Sequence, residues 1–240
     1  MAECQFITHE VVRGDTLYRL AKKYKTTVPL ILLANPGVEP YNLQIGTKLK
    51  ICQGNQIPQR PSMDEIEMAS DLDRRWMQYI GWLKMYLNSL SQPVDRQREA
   101  ARKTEQAADR IVDVFGVFYP DAMIERLREH FARGYTLDLM SYANATNNRD
   151  TMAAEQFEER IEEHAESIAK LLSQYNRYYN EERIEEALEE APEVIEQIVI
   201  AMRNEDNMQE FSGFETLYEW AGSVAAYLAE GLRREFYREG

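Results

Sequence analysis

Three turn signals crowd into the first fifty residues and constrain the fold more than anything else in the chain. Val12-Arg13-Gly14-Asp15-Thr16-Leu17 sets a glycine and two capping residues directly before an apolar helical pattern. Ala34-Asn35-Pro36-Gly37 stops a second helix, and Asn42-Leu43-Gln44-Ile45-Gly46-Thr47-Lys48-Leu49 turns into a strand. Phe6 to Val12 is β-rich and closed by Arg13-Gly14, so it reads as a first strand. Asp15 or Thr16 then caps a helix over residues 17–24, with Leu17, Leu20, Ala21 and Tyr24 on one face. Thr26 or Thr27 caps a helix over residues 28–35, and Lys48-Leu49-Lys50-Ile51 is the partner strand. The expected order is strand, helix, helix, strand.

That order, with these residues, resembles a LysM domain over essentially all of residues 4–53. Gly-Asp-Thr-Leu alone is a weak signal; Asn-Pro-Gly after the second helix and Leu-x-x-Gly before the last strand make the set specific. The resemblance implies binding to polymers that contain N-acetylglucosamine, namely peptidoglycan or chitin. Gly14 allows close backbone approach, and Asp15 and Thr16 leave amides facing outward at a helix N-terminus. The loop of residues 41–46 forms the opposite lip, with Asn42 and Gln44 in it and Leu43 and Ile45, together with Leu17, offered to the sugar's acetamido methyl. The expected glycan-binding set is therefore Gly14, Asp15, Thr16, Leu17, Asn42, Leu43, Gln44 and Ile45, with capping as the main energetic role of Asp15 and Thr16. So small a groove binds one or two sugars weakly, and useful attachment requires avidity.

Cys4 and Cys52 are the two cysteines of the chain and bracket this module. If its strands pair antiparallel, the two positions meet at one edge of the sheet, within reach of a disulfide. Similar bracketing pairs accompany LysM modules of endospore-forming Gram-positive bacteria. The alternative is a pair of reduced, semi-buried thiols in a cytosolic protein.

Charge separates the two parts of the chain. Residues 1–55 carry seven Lys/Arg against four Asp/Glu, whereas the whole chain has a formal net charge of -13, so the remainder is strongly acidic. Such a body repels nucleic acid and anionic lipid. Met1-Ala2-Glu3-Cys4-Gln5 has an acidic residue where a signal peptide needs a basic one, and the apolar stretch Val194 to Met202 is broken by Glu196 and Gln197. Synthesis in the cytoplasm without a signal peptide or membrane span is the expectation.

The fold class that follows is a small α+β module over residues 1–53, a linker over 54–62, and an all-α antiparallel bundle over 63–240. The bundle has about six helices, over residues 64–91, 95–117, 121–144, 149–176, 181–204 and 208–238, separated by proline- and asparagine-bearing breaks. It loosely resembles an uncharacterised group of helical-bundle proteins from Gram-positive bacteria, through Trp76 to Lys84, Glu129-His130 and Ala165 to Ser173. A ferritin-like metal site needs a carboxylate three residues before a histidine on two helices. Leu127 and Ile161 stand there instead, which leaves Glu129, His130 and His164 as weak ligand candidates. No cofactor is implied, and no nucleophile elbow or phosphate loop is present. The run Glu181 to Glu190 reads as a solvated face around Ile184 and Leu188. Trp76, Trp82, Tyr79, Tyr86, Tyr175, Tyr178 and Tyr179 read as packing residues, with an aromatic sugar platform as the alternative.

The function expected is non-catalytic attachment to peptidoglycan or chitin, with the protein associated with a cell wall or spore envelope. The acidic bundle would self-associate or hold a protein partner. Two alternatives are a metal-binding or enzymatic bundle targeted by the module, and an assembly protein of a phage-like particle.

Overall fold

The computed structural model describes residues 5–26, 28–35, 37–38, 43–53 and 63–237. The expected linker, Cys4, Asn42 and Thr27 lie outside these residues. Strand β1 (Gln5–Glu10) pairs antiparallel with β2 (Lys48–Gln53), in a register that sets Phe6 opposite Cys52 and His9 opposite Leu49. Helices α1 (Leu17–Tyr24) and α2 (Val28–Ala34) lie between them in sequence. Leu49 and Ile51 alternate with exposed Lys48 and Lys50, so one face of β2 joins Val11, Leu17, Leu20, Ala21, Ile31 and Leu32 in a small core.

Local hydrogen bonds explain why these particular residues are used. Thr16 is the cap of α1, its Oγ1 accepting from Arg19 N at 3.2 Å. The helix ends at Lys25, in the left-handed region, whose N–H donates to Ala21 O. Asn35 ends α2 and clamps it to the sheet. Its Nδ2 donates to Ile31 O (2.6 Å) and Lys50 O (2.7 Å), while Lys50 N donates to its Oδ1 at 2.7 Å.

The body consists of α3 (Glu65–Leu87), α4 (Val94–Phe115), α5 (Asp121–Leu127), a π-helical turn (Arg128–Tyr135), α6 (Thr136–Asn148), α7 (Thr151–Tyr175), α8 (Glu181–Arg203) and α9 (Asn207–Phe236). Asp64, Asp150, Asn180 and Asp206 cap α3, α7, α8 and α9, and Pro93 and Pro120 stand at the starts of α4 and α5. Helices joined by short connections pack side by side, α3 on α4, α6 on α7, α7 on α8 and α8 on α9, and α9 returns to α3. Among the described residues, no helix is long and apolar enough to cross a membrane.

The expected third helix departs from simple helical form. Leu127 and Tyr135 keep right-handed helical angles, so α5, the π turn and α6 follow one another without a break in direction of the chain. A Cβ on Gly134 in that turn would stand 2.4 Å from the His164 ring of α7, so the imidazole occupies space that a side chain would need.

Aromatic side chains hold the body together. Trp76 lies 5.8, 5.5 and 5.7 Å from the ring centres of Tyr79, Phe131 and Trp220. Pro192 inside α8 has no N–H for Leu188 O, and Tyr135 Oη donates to that carbonyl at 2.5 Å instead. The acids of residues 181–190 are largely exposed around buried Ile184 and Leu188.

Candidate binding groove

Two lips of the N-terminal module are tied together through Val11. Its N–H donates to Thr47 O (2.9 Å) and its carbonyl accepts from Gly46 N (2.8 Å), which holds the turn of residues 44–47 beside the loop that leads into α1. Gly14 and Gly46 have φ of 93° and 87°, angles that β-carbon-bearing residues rarely adopt.

Asp15 organises the first lip. Its carboxylate accepts from Val12 N (2.9 Å) and from His9 Nε2 (2.8 Å), while His9 Nδ1 shares a hydrogen bond with Tyr24 Oη at 2.8 Å. The Val12 N–H, then His9, hold the Asp15 carboxyl below its usual range. Asp15 therefore pins the loop to β1 and to the end of α1, rather than capping the helix as the sequence left open. Arg19 reaches back to donate to Gly14 O at 2.9 Å.

Beside this lip is a cleft of about 400 Å³. Asp15, Thr16, Leu17, Tyr18, Val28 and Leu43 form the side contributed by the module. Residues 9–51 match the family model of the LysM domain. The N-terminal module is a LysM domain. Neither the curated proteins nor the solved structures give a match to the chain. A LysM domain implies binding of carbohydrate of the peptidoglycan or chitin type.

The LysM cleft gathers four of the eight residues expected to bind glycan: Asp15, Thr16, Leu17 and Leu43. Leu17 is 2% exposed and belongs chiefly to the LysM core. Gly14, Gln44 and Ile45 do not line the cleft, and Ile45 is 69% exposed. Asn42 lies outside the described residues, as does the Cys4 half of the suggested disulfide.

Four cleft residues come from the helical body: Gln174 and Tyr175 at the end of α7, Arg177 in the connection to α8, and Glu235 near the end of α9. Tyr175 packs against the LysM core as well as the body core. The Arg177 guanidinium lies 4.7 Å from the ring centre of Tyr18 in α1, and its Nε stands 3.5 Å from Glu235 Oε2. Burial pushes the Glu235 carboxyl up against the opposing pull of Arg177. Tyr175 is among the aromatics that the sequence offers as a sugar platform, whereas no local signal marks Gln174, Arg177 and Glu235, because only the tertiary fold carries them to the LysM loops.

Two of the three candidate ligands of the body approach one another and the third does not join them. His130 of the π turn and His164 of α7 come within 5.8 Å between ring centres, and His164 Nε2 is 3.4 Å from Asp138 Oδ2. Glu129 is exposed, and Asp138 is already held by Arg160 at 2.8 Å. Among the described residues, no group of three His, Cys, Asp or Glu is arranged to hold a metal ion.

Proposed function

We propose that this chain is a non-catalytic glycan-binding protein whose LysM domain attaches an acidic helical body to peptidoglycan or chitin, in a cell wall or spore envelope. The observation that carries the reading is the cleft of about 400 Å³ beside the loop into α1, lined by Asp15, Thr16, Tyr18 and Leu43. That volume falls within the range of roughly 300–1,000 Å³ common to small-molecule sites. One such cleft binds weakly, so the body is assigned the second task of repetition, by assembling with itself or with a protein partner.

Co-sedimentation of the full chain with insoluble peptidoglycan and with chitin tests the attachment. The expected result is pelleting that soluble N-acetylglucosamine oligomers reverse. Protein that stays in the supernatant with both polymers overturns the reading. Light scattering over a range of concentrations tests the assembly task, which a persistent monomer would remove.

A further inference from the structure

We propose that the helical body completes the LysM cleft, and that Tyr175, Arg177 and Glu235 contact the same N-acetylated amino sugar that the LysM loops take. This inference rests on the glycan-binding reading and adds the second wall of the site to it.

The chemistry of that wall suits a neutral sugar. Tyr175 belongs to both hydrophobic clusters, so it fixes the body against the LysM core and offers an aromatic ring beside the cleft. Such a ring accepts the C–H face of a pyranose. Arg177 is a donor without acceptor capacity, and Glu235 in its ionised form is an acceptor without donors. Hydroxyl and acetamido groups supply partners for both. Glu235 Oε2 is buried with no hydrogen-bond partner among the described residues, although Arg177 Nε stands 3.5 Å away. Glu235 nevertheless lines the cleft, where its carboxylate is placed to accept from a sugar hydroxyl.

Charge balance separates a sugar from an anion. Arg177 and Glu235 offset one another, and Asp15 is committed to Val12 N and His9. No net positive charge remains on this wall to select a carboxylate or phosphate. The guanidinium also lies against the Tyr18 and Tyr178 rings, each 4.7 Å away at the ring centre, which holds it in place before ligand arrives. The LysM domain and the body are thus read as one binding unit.

The test titrates the full chain with soluble N-acetylglucosamine tetrasaccharide and, separately, with soluble peptidoglycan fragments. Wild type is compared with Arg177→Ala, Arg177→Lys and Glu235→Gln. Calorimetry gives affinity, and ligand-induced shifts in melting temperature give a second measure that also reports whether each variant is folded. The expected result is a loss of about tenfold for R177A and E235Q toward whichever glycan wild type binds, with partial recovery in R177K. Glu235→Gln keeps the shape of the side chain, so it stands in for R177A if that variant fails to fold. Wild-type affinity in folded R177A or E235Q overturns the inference and leaves the glycan reading intact. Tighter binding overturns it in the opposite sense, because the body would then obstruct the cleft. Failure of wild type to bind either glycan overturns both.

Discussion

The LysM domain and the helical body are built on different kinds of constraint. In the LysM domain, single polar side chains determine where the backbone goes: Asn35 clamps the end of α2 to β2, and Asp15 ties the loop to β1 and α1. Its core is small, centred on Leu20, Ile31, Leu49 and Ile51. The body instead relies on large rings interleaved between long helices, with Trp76, Tyr79 and Tyr135 fully buried. A clamp demands one residue type, whereas a packed ring demands volume and apolarity. The LysM domain is consequently recognisable by its residues, and the body by little beyond its periodicity.

The largest expected effect falls on the body. Trp76→Ala removes a ring that touches Tyr79, Phe131 and Trp220 and already borders a cavity of about 370 Å³. Neighbours beside an existing void have little to collapse onto, so a loss of about 3–5 kcal/mol is expected in urea unfolding. A loss below 1 kcal/mol would break the comparison, since the body would then not depend on its rings.

Gly231→Ala comes next. A Cβ there would stand 1.9 Å from Tyr179 Cε1, and Tyr179 is fixed by its hydroxyl, which donates to Leu228 O at 2.6 Å. Overpacking of this kind costs roughly 1–3 kcal/mol, and the fixed ring sets the upper end. Gly222 on the same helix has open space at its Cβ, so Gly222→Ala should be neutral or stabilising by up to about 1 kcal/mol. Equal effects at the two glycines would remove ring packing as the cause.

In the LysM domain the matching change is Asn35→Ala. It leaves Lys50 N and O and Ile31 O without their side-chain partner. A loss of about 1–2 kcal/mol is expected, on the scale of one or two unmade hydrogen bonds. Amide exchange at Lys50 is the local readout, and it should rise without change in the body. Unchanged exchange would mean that β2 does not need the clamp.

What could be read before the structure follows the same division. Helix ends set by nearby residues were legible: Pro93, Pro120, Asp64 and Asp206 stand where the breaks were expected. The π turn was not, and the close approach of His164 to Gly134 within it comes from another helix, which no local pattern announces. Asp15 and Thr16 are equally good caps by type, and the hydrogen bonds that Asp15 accepts from Val12 N and His9 leave the cap to Thr16. Leu43 was legible as a lip residue, but Arg177 and Glu235 were not. Nothing in their own neighbourhoods distinguishes them from other charged residues at helix ends.

The smallest expected effect separates the two regions by pH. Burial first, and the neighbouring His164 second, hold His130 below its ordinary value of 6.5. Between the lowered value and 6.5 the unfolded chain therefore binds a proton that the folded chain does not, and stability falls as pH falls through that window. Glu129 pulls in the other direction and Arg126 adds to the depression, and neither outweighs burial. In the LysM domain the titrating anchor is Asp15, whose lowered carboxyl keeps its contribution until pH falls below 3.8. Mild acid should thus reach the body first. Unfolding of wild type and His130→Gln, compared between pH 7.5 and 5.5, isolates the effect: the stability of wild type should decline more steeply, while the protection of Val12 N, the donor to Asp15, relative to the intrinsic exchange rate at each pH stays constant. Parallel slopes would show that His130 is not kept neutral by burial. A simultaneous loss of protection at Val12 would show that the LysM loop is no more resistant to acid than the helices it leans on.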